Sequence, residues 1–219
     1  MVDFKRTRQY INKNTIVETI LIDPEEYVDP SQFLTAYKGS QPNTTSPYPN
    51  PEIATTEFTD TEKSKLLNND GNTVSSTACA TFSGYFCHTV HRFVWDLKRY
   101  NTLPNILRKV EFGWDGYSSV GGGIFWHKRL TGWHSETVNI PTSDDAELEI
   151  VYIPSSMIGA LIDNKLEVAV STSAQYIDSE VCASLYTDYV YLKVTYIRSA
   201  LINSPVIQPT VIGGRQYGG

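Results

Sequence analysis

Residues 185–197 alternate apolar and polar side chains with a period of two, and this alternation constrains the fold more than any other feature of the chain. A period of two in a segment rich in β-branched and aromatic residues is typical of a β-strand with one buried face. The residues predicted to face the core are Val190, Leu192, Val194 and Tyr196. This segment alone therefore predicts a strand in a β-sheet that has one face packed against a core.

The same alternation recurs along most of the sequence. It is found at residues 15–22, 53–58, 73–82, 85–97, 107–115, 124–130, 133–140, 147–153 and 165–172. Turn residues separate these stretches. Short helical turns are predicted at residues 60–68, at 103–106 with a simple turn as the alternative, and at 154–162 with a crossing loop as the alternative. About eight to ten strands with few helices predict an all-β fold, an antiparallel β-sandwich. The uneven loops favour a jelly-roll-like arrangement.

The ends of the chain differ in composition from the middle. Residues 204–219 contain two prolines and four glycines, which excludes a central strand and favours an extended arm. Residues 1–14 are mildly basic and are predicted to form a second arm. One sandwich domain is expected over residues 15–203, with a Pro-rich surface loop without helix or strand at residues 39–52.

The charge balance excludes two classes of partner. With a net charge of -6 and a pI near 5.2, the chain lacks the basic excess of nucleic-acid grooves and of proteins that bind anionic membranes. There is no apolar run long enough for a transmembrane helix, and the first residues lack a secretory signal. The protein is expected to stay where it is made or to leave by particle assembly and lysis, which would place it in a virion or another extracellular particle.

Three cysteines, Cys79, Cys87 and Cys182, are an odd number without metal-type spacing. They are predicted to be buried thiols in a protein that folds in a reducing compartment. A zinc cluster of Cys79, Cys87, His88 and His91 is disfavoured, because neighbours along a strand point to opposite faces. No metal or other cofactor is predicted, although acidic loops leave room for a structural calcium ion. The loop acids concerned are Asp23, Glu25, Glu26, Asp144 and Asp145.

No catalytic arrangement is found in the sequence. Five carboxylates are available for glycosidase chemistry: Glu111, Asp115, Glu136, Glu147 and Glu149. Glu147 and Glu149 share an outward strand face, which is the usual position of solvated charges. There is no G-x-S-x-G nucleophile motif, and Gly121–Gly123 is followed by neither a Lys-Ser/Thr pair nor a helix. His127 and His134 flank a predicted hairpin turn and are expected to form a cross-strand pair, with a pH-sensitive or metal-binding pair as the alternative. The chain is therefore expected not to be an enzyme.

Aromatic residues cluster in one third of the chain and raise the possibility of carbohydrate binding. Trp114 falls on the same strand face as the apolar Val110 and is predicted to lie in the core. Tyr117, Trp126 and Trp133 are the candidates for a platform on which sugar rings stack, and burial in the core is the alternative for both tryptophans.

Several strand patterns resemble a known group of modules. These are Phe93-Val-Trp-Asp-Leu, then Val110-Glu-Phe-Gly-Trp-Asp-Gly-Tyr, the hairpin from Phe125-Trp to Gly132-Trp, and the alternation of residues 185–196. Over residues 73–197 the chain resembles the disaggregatase-related and DNRLRE-type jelly-roll modules of archaeal and bacterial surface proteins. The resemblance implies a jelly-roll fold and carries no active-site signature.

Two functions follow as hypotheses. The first is a non-enzymatic structural protein, most simply a capsid decoration or other head or tail protein of a virion, that associates with copies of itself and with other particle proteins. The residues expected to make these contacts lie in the arms: Phe4, Arg6, Arg8, Val206, Ile207, Val211, Ile212 and Tyr217. The alternative is a carbohydrate-binding module for glycan or host-surface attachment.

Overall fold

The computed structural model describes the chain as two antiparallel β-sheets packed face to face. The described residues are 6–12, 15–22, 34–66, 69–98, 105–143, 147–152 and 159–199. In this part of the chain there are thirteen strands, so the sequence predicted too few. None of the helices in these ranges has the length and apolar character needed to cross a membrane.

One sheet has six strands and the other has seven. The six-stranded sheet contains β1 (Arg6–Asn12), β2 (Thr15–Ile22), β5 (Val74–Ala80), β7 (Asn105–Ser118), β10 (Glu147–Tyr152) and β13 (Val181–Ser199). The seven-stranded sheet contains β3 (Leu34–Thr44), β4 (Thr56–Glu57), β6 (Phe86–Asp96), β8 (Gly123–Arg129), β9 (Gly132–Val138), β11 (Leu161–Ile162) and β12 (Lys165–Gln175). The strand orders are β1-β2-β13-β7-β10, with β5 beside β13, and β4-β3-β6-β12-β8-β9, with β11 beside β12.

The core between the sheets is aromatic. Phe112 of β7 lies with its ring centroid 6.1 Å from that of Phe93 in β6 and 5.9 Å from that of Phe125 in β8. Trp114 and Trp95 are also buried in this core. Contacts between rings from opposite sheets confirm the predicted sandwich, and burial of Trp114 confirms its assignment to the core.

Strand β13 behaves as its alternation predicts. Its four predicted core residues are all buried, and the strand pairs with β2, β7 and β5. Its register with β7 shifts between Thr187 and Tyr189, where one extra residue is inserted. Because of this bulge, Thr187 faces the core although it is three positions from Val190.

The predicted Pro-rich loop was wrong in part. Strand β3 continues to Thr44, and Pro51–Ile53 form a turn of 3-10 helix. The register of β3 against β6 shifts between Gln41 and Thr44. Pro42 therefore lies in an irregularity of the strand, where the ladder does not require its missing N–H.

Two predictions for the segments that follow had different outcomes: one was confirmed and the other was not. A short helix, α1 (Asp60–Lys65), confirms the predicted helical turn, and Thr59 and Glu62 form a capping box at its start. The alternation over residues 73–82 puts Phe82 on the same side as Val74, but Phe82 lies beyond the end of β5 and is 60% exposed.

The prediction of three free thiols was wrong. Cys79 of β5 and Cys182 of β13 are directly opposite in the register and form a disulfide, which leaves the buried Cys87 as the free cysteine. Non-sequential strand pairing creates this contact, so the spacing of the cysteines in sequence could not reveal it. A disulfide is typical of proteins that function in oxidising surroundings.

Most of the predicted arm residues lie outside the described residues. These are Phe4, Val206, Ile207, Val211, Ile212 and Tyr217, and the loop acids proposed for calcium, Asp23, Glu25, Glu26, Asp144 and Asp145, also lie outside. Arg6 and Arg8 belong to β1, which pairs with β2 at the edge of the six-stranded sheet.

Candidate ligand-binding face

The outer face of the seven-stranded sheet carries aromatic and charged side chains side by side. Across β3, β6, β12 and β8, the register places Tyr37, Arg92, Ala169 and Trp126 in one row. Phe125 and His127, on either side of Trp126, are buried, so Trp126 points away from the core. At the usual strand spacing, Tyr37 and Trp126 are roughly 14 Å apart.

Two tryptophans and a tyrosine form what we call the aromatic platform: Tyr37, Trp126 and Trp133. All three are partly exposed and rest on a small buried cluster that includes Ala169. The indole N–H of Trp126 donates to Ser171 Oγ at 2.8 Å, and that of Trp133 donates to Glu52 Oε1 at 2.7 Å. These bonds fix the planes of the two indole rings, and both tryptophans remain partly exposed.

Four charged side chains next to the platform form a closed cycle, which we call the ion-pair ring: Glu52, Arg92, Glu167 and Lys128. Arg92 Nη1 lies 3.2 Å from Glu52 Oε2 and 3.4 Å from Glu167 Oε1. Lys128 Nζ lies 3.1 Å from Glu52 Oε1 and 3.4 Å from Glu167 Oε2. Two positive and two negative charges leave the ring neutral.

The ring also contacts the platform directly. The Arg92 guanidinium lies 4.6 Å from the centroid of the Tyr37 ring, and Lys128 Nζ lies 5.3 Å from that of Trp133. Cation–π contacts of this kind hold the long basic side chains against the rings. Polar groups and aromatic surfaces are therefore fixed relative to one another.

Glu52 reaches this face because the chain around it folds back onto the sheet. The Asn50 side chain caps the turn that begins at Pro51, and Ala54 is fully buried. A β-carbon at Gly39 would lie 2.2 Å from the carbonyl oxygen of Ile53, so only glycine allows this approach. The hydrogen bond from Trp133 and the nearby Lys128 and Arg92 charges hold the pKa of Glu52 below its ordinary value, although burial opposes this.

Tyr117 does not join the other two predicted platform residues. It lies in β7 of the opposite sheet, where it alternates with the buried Trp114, and its ring stacks on that of Tyr186 at 4.3 Å. The structure brings Trp126 and Trp133 together on one outer face and places Tyr117 on the other.

The predicted histidine pair is present at the rim of the sandwich. His127 and His134 are cross-strand partners in β8 and β9, and their rings stack at 5.8 Å. His127 Nε2 accepts a hydrogen bond from Arg129, and His134 Nε2 bonds with Thr131. A metal ion bound through both Nε2 atoms would have to replace these two bonds.

The residues considered for zinc do not converge. Cys87 Sγ faces the carbonyl oxygens of Ala174 and Val181, whereas His88 Nε2 bonds the carbonyl oxygen of Ser46. His91 lies in the core. A different group, Cys79, Glu180 and Cys182, has its ligand atoms within 4.8 Å of one another, but the two sulfurs are joined as a disulfide.

Among the carboxylates considered for glycosidase chemistry, the backbone register places Glu147 of β10 opposite Asp115 of β7. Glu111 and Asp115 lie four residues apart on one face of β7, about 14 Å along the strand. This distance exceeds the separation between the two catalytic carboxylates in both retaining and inverting glycosidases. Glu136 lies in β9 of the other sheet. The side chains of Glu147 and Glu149 are outside the described part of the structure.

Sequence reasoning missed most of the candidate face. Four of its residues occupy outward positions in strands whose apolar and polar residues alternate: Tyr37, Arg92, Lys128 and Glu167. The pattern therefore predicts their orientation, but it does not predict their contacts with one another. Glu52 had no such signal, because it belongs to the segment predicted to be an irregular loop.

No protein-family model matches the chain, and no curated protein matches it. Two solved structures are similar in fold, both of a family 11 carbohydrate-binding module from Clostridium thermocellum. One is a complex with a β-1,3-1,4-mixed-linked tetrasaccharide; it is 13% identical, covers 80% of this chain and 94% of its own, and has a TM-score of 0.27. The other, from the cellulosomal cellulase Lic26A-Cel5E, has the same identity and TM-score, and 93% of its own chain is covered. A TM-score of 0.27 is too low to bear on the function of this chain.

Proposed function

We propose that this chain is a non-catalytic carbohydrate-binding module that holds a glycan chain against the aromatic platform. The observation that carries the proposal is the pair Trp126 and Trp133, which are anchored through their indole N–H groups and remain partly exposed on one outer sheet face. Fixed aromatic rings bind the apolar faces of sugar rings at little entropic cost, because the rings lose no further freedom on binding.

The ion-pair ring supplies the polar part of the interaction. Glu52 is 50% exposed, and its carboxylate is held in place by Trp133, Arg92 and Lys128. Carboxylate and guanidinium groups present several hydrogen-bonding atoms in one plane, which suits the neighbouring hydroxyl groups of a sugar. The row from Tyr37 to Trp126 is longer than one sugar ring, which favours a chain of sugars.

The expected result is a loss of glycan binding when a platform tryptophan is removed. Trp126→Ala or Trp133→Ala should weaken binding about 30-fold, since a central aromatic anchor is worth roughly 2 kcal/mol. A glycan array would identify the ligand, and calorimetry with its best-bound oligosaccharide would measure the change.

Tyr117→Ala is the matched control because it removes an aromatic ring from the opposite face of the sandwich. It should leave affinity within about twofold of the unaltered protein. Equal weakening by Tyr117→Ala, or full affinity in both tryptophan variants, would contradict the proposed site.

A structural role in a particle stays as a second candidate, and one observation favours it. Strand β1 is the terminal strand of the six-stranded sheet and has β2 as its only strand partner among the described residues. An open edge of this kind accepts a strand from a neighbouring molecule. Residues 1–14 and 204–219 would then make contacts with copies of the chain or with other particle proteins.

Deletion of residues 204–219 tests the second candidate. If the arms mediate assembly, the intact chain should form an oligomer in solution and the shortened chain should be a monomer with an unchanged thermal unfolding midpoint. Mass measurement by light scattering would show the difference. A monomer in both cases would remove the support for self-assembly through this arm.

A further inference from the structure

A polar cleft is lined by residues of β3, β4 and β5 and by Ile53 and Thr55 before β4. Its volume is about 420 Å³, within the range of small-molecule sites. Six of the residues that line it bear hydroxyl groups: Ser40, Thr55, Thr56, Ser75, Ser76 and Thr77. Hydroxyls at this density can both donate and accept hydrogen bonds from an oxygen-rich ligand.

A buried chain of hydrogen bonds ends at one of these hydroxyls. Trp114 Nε1 donates to Thr187 Oγ1 at 2.9 Å, and Thr187 Oγ1 lies 2.8 Å from His91 Nδ1. His91 Nε2 lies 3.0 Å from Ser76 Oγ, which lines the cleft. Trp114, Thr187 and His91 are buried, so the chain connects the core to the cleft wall.

The Trp114 indole determines which group donates in each of these three hydrogen bonds. An indole nitrogen can only donate, so Thr187 Oγ1 accepts from Trp114. Among the described residues, the acceptor for the hydroxyl proton of Thr187 is His91 Nδ1. If His91 Nδ1 donated to Thr187 instead, the Thr187 proton would be buried without an acceptor, which native structures avoid. His91 then carries its proton on Nε2 and donates to Ser76 Oγ.

Ser76 is consequently left with its own proton free to point into the cleft. Its oxygen is occupied as an acceptor by His91, and its hydroxyl is polarised by the three bonds behind it. In this order His91 cannot take the proton of Ser76, and burial lowers the pKa of His91 to about 3. Ser76 is therefore a fixed donor for a bound ligand and not an activated nucleophile.

The charge of the cleft wall favours an uncharged ligand. Lys38 is the one charged residue in the lining, and its ammonium group is already hydrogen bonded to the Glu62 carboxylate. It also lies 5.8 Å from the centroid of the Phe58 ring. An anion would have to compete with Glu62 for this cation, whereas a sugar hydroxyl would not.

We infer that this cleft is a second ligand site that binds one neutral sugar unit, either a free monosaccharide or the end of a glycan chain, with Ser76 as its oriented donor. The site differs from the aromatic platform in being hydroxyl-lined and free of aromatic rings in its wall. Its binding is independent of Trp126 and Trp133, so either site can fail its test without affecting the other.

The experiment uses NMR of the full chain with ¹⁵N-labelled histidine. The imidazole nitrogens of His91 should show the Nε2–H form near neutral pH. Addition of D-glucose, D-galactose or D-mannose should shift the Nε2 resonance, because the bound sugar changes the hydrogen bond at Ser76. Ser76→Ala and Thr56→Val should each weaken the titrated affinity about fivefold or more, as expected for one lost hydrogen bond.

Thr61→Val, at an exposed position of α1 outside the cleft, and Trp126→Ala, on the platform, should leave the monosaccharide titration unchanged. Thr56 is exposed on β4, so its variant remains informative if Ser76→Ala disturbs the core. Three outcomes would overturn the inference: an Nδ1–H form of His91, no shift with any of the three sugars, or a shift with inorganic sulfate alone.

Discussion

Replacing Cys79 and Cys182 by serine is expected to lower the free energy of unfolding by about 3–5 kcal/mol. The disulfide joins residues 103 positions apart, and closing so long a loop removes much of the entropy of the unfolded chain. It also fastens β5, a seven-residue strand whose pairing in the six-stranded sheet is with β13. Urea unfolding of the unaltered protein and the double variant would measure the difference.

Reducing agent provides the matched control. It should shift the unfolding midpoint of the unaltered protein toward that of the double variant and leave the double variant unchanged. Thiol labelling of the denatured, unreduced protein should count one free cysteine, Cys87. Three labelled cysteines, or a midpoint that does not respond to reduction, would contradict the disulfide.

The strands were predictable because most of them bury one face. In β6, β7 and β13 the apolar positions recur every second residue, and the predicted inward residues are buried. That pattern follows from the geometry of a pleated strand and needs no knowledge of which strands are neighbours. The alternation therefore predicts the sandwich. It does not predict the strand order or the bulge that turns Thr187 inward.

The segment before β4 was not predictable by the same logic. Residues 39–52 are rich in Pro, Ser and Asn, a composition typical of irregular loops, yet they contain the end of β3 and the turn that carries Glu52. Their conformation is set by packing on the sheet, and Gly39 makes this possible through its contact with Ile53. Contacts between distant segments of this kind are not encoded in a local pattern.

The candidate face was predictable only in part for the same reason. Clustering in the sequence suggested Tyr117, Trp126 and Trp133 as one platform, but β7 and β8 belong to different sheets. Neighbours along the chain therefore lie on opposite faces of the sandwich. Tyr37 of the platform and Glu52 of the ion-pair ring come from a part of the sequence more than seventy residues before the two tryptophans. The hydrogen bond between Trp133 and Glu52 joins residues 81 positions apart.

Acid should destabilise the fold through its buried histidines, with the largest single contribution from His91. Burial lowers the pKa of His91 to about 3, and burial also lowers the pKa values of His88 and His127. A histidine in the unfolded chain has a pKa near 6.5, so between about pH 6.5 and pH 3 the unfolded state binds a proton that the folded state does not. Stability is therefore complete above this window and falls as the pH decreases through it.

The expected loss from His91 alone is about 1.4 kcal/mol for each pH unit within the window, or roughly 2 kcal/mol at about pH 5. His91→Gln removes the titrating group and should reduce the slope of the unfolding free energy against pH by that amount, whatever it does to stability near neutral pH. His134→Gln is the matched control, because it makes the same substitution at an exposed position outside the hydrogen-bond chain of His91.

Urea unfolding at several values between about pH 7.5 and pH 4.5 would give both slopes. Carboxylates such as Glu52, whose pKa is also lowered, add to acid sensitivity but contribute equally to all three proteins. The difference between the unaltered protein and His91→Gln therefore isolates the buried imidazole. Equal slopes in these two proteins would mean that His91 gains its proton over the same pH range in the folded and the unfolded chain. A doubly protonated ring in that range could not accept the Thr187 proton in the hydrogen-bond chain that orients Ser76.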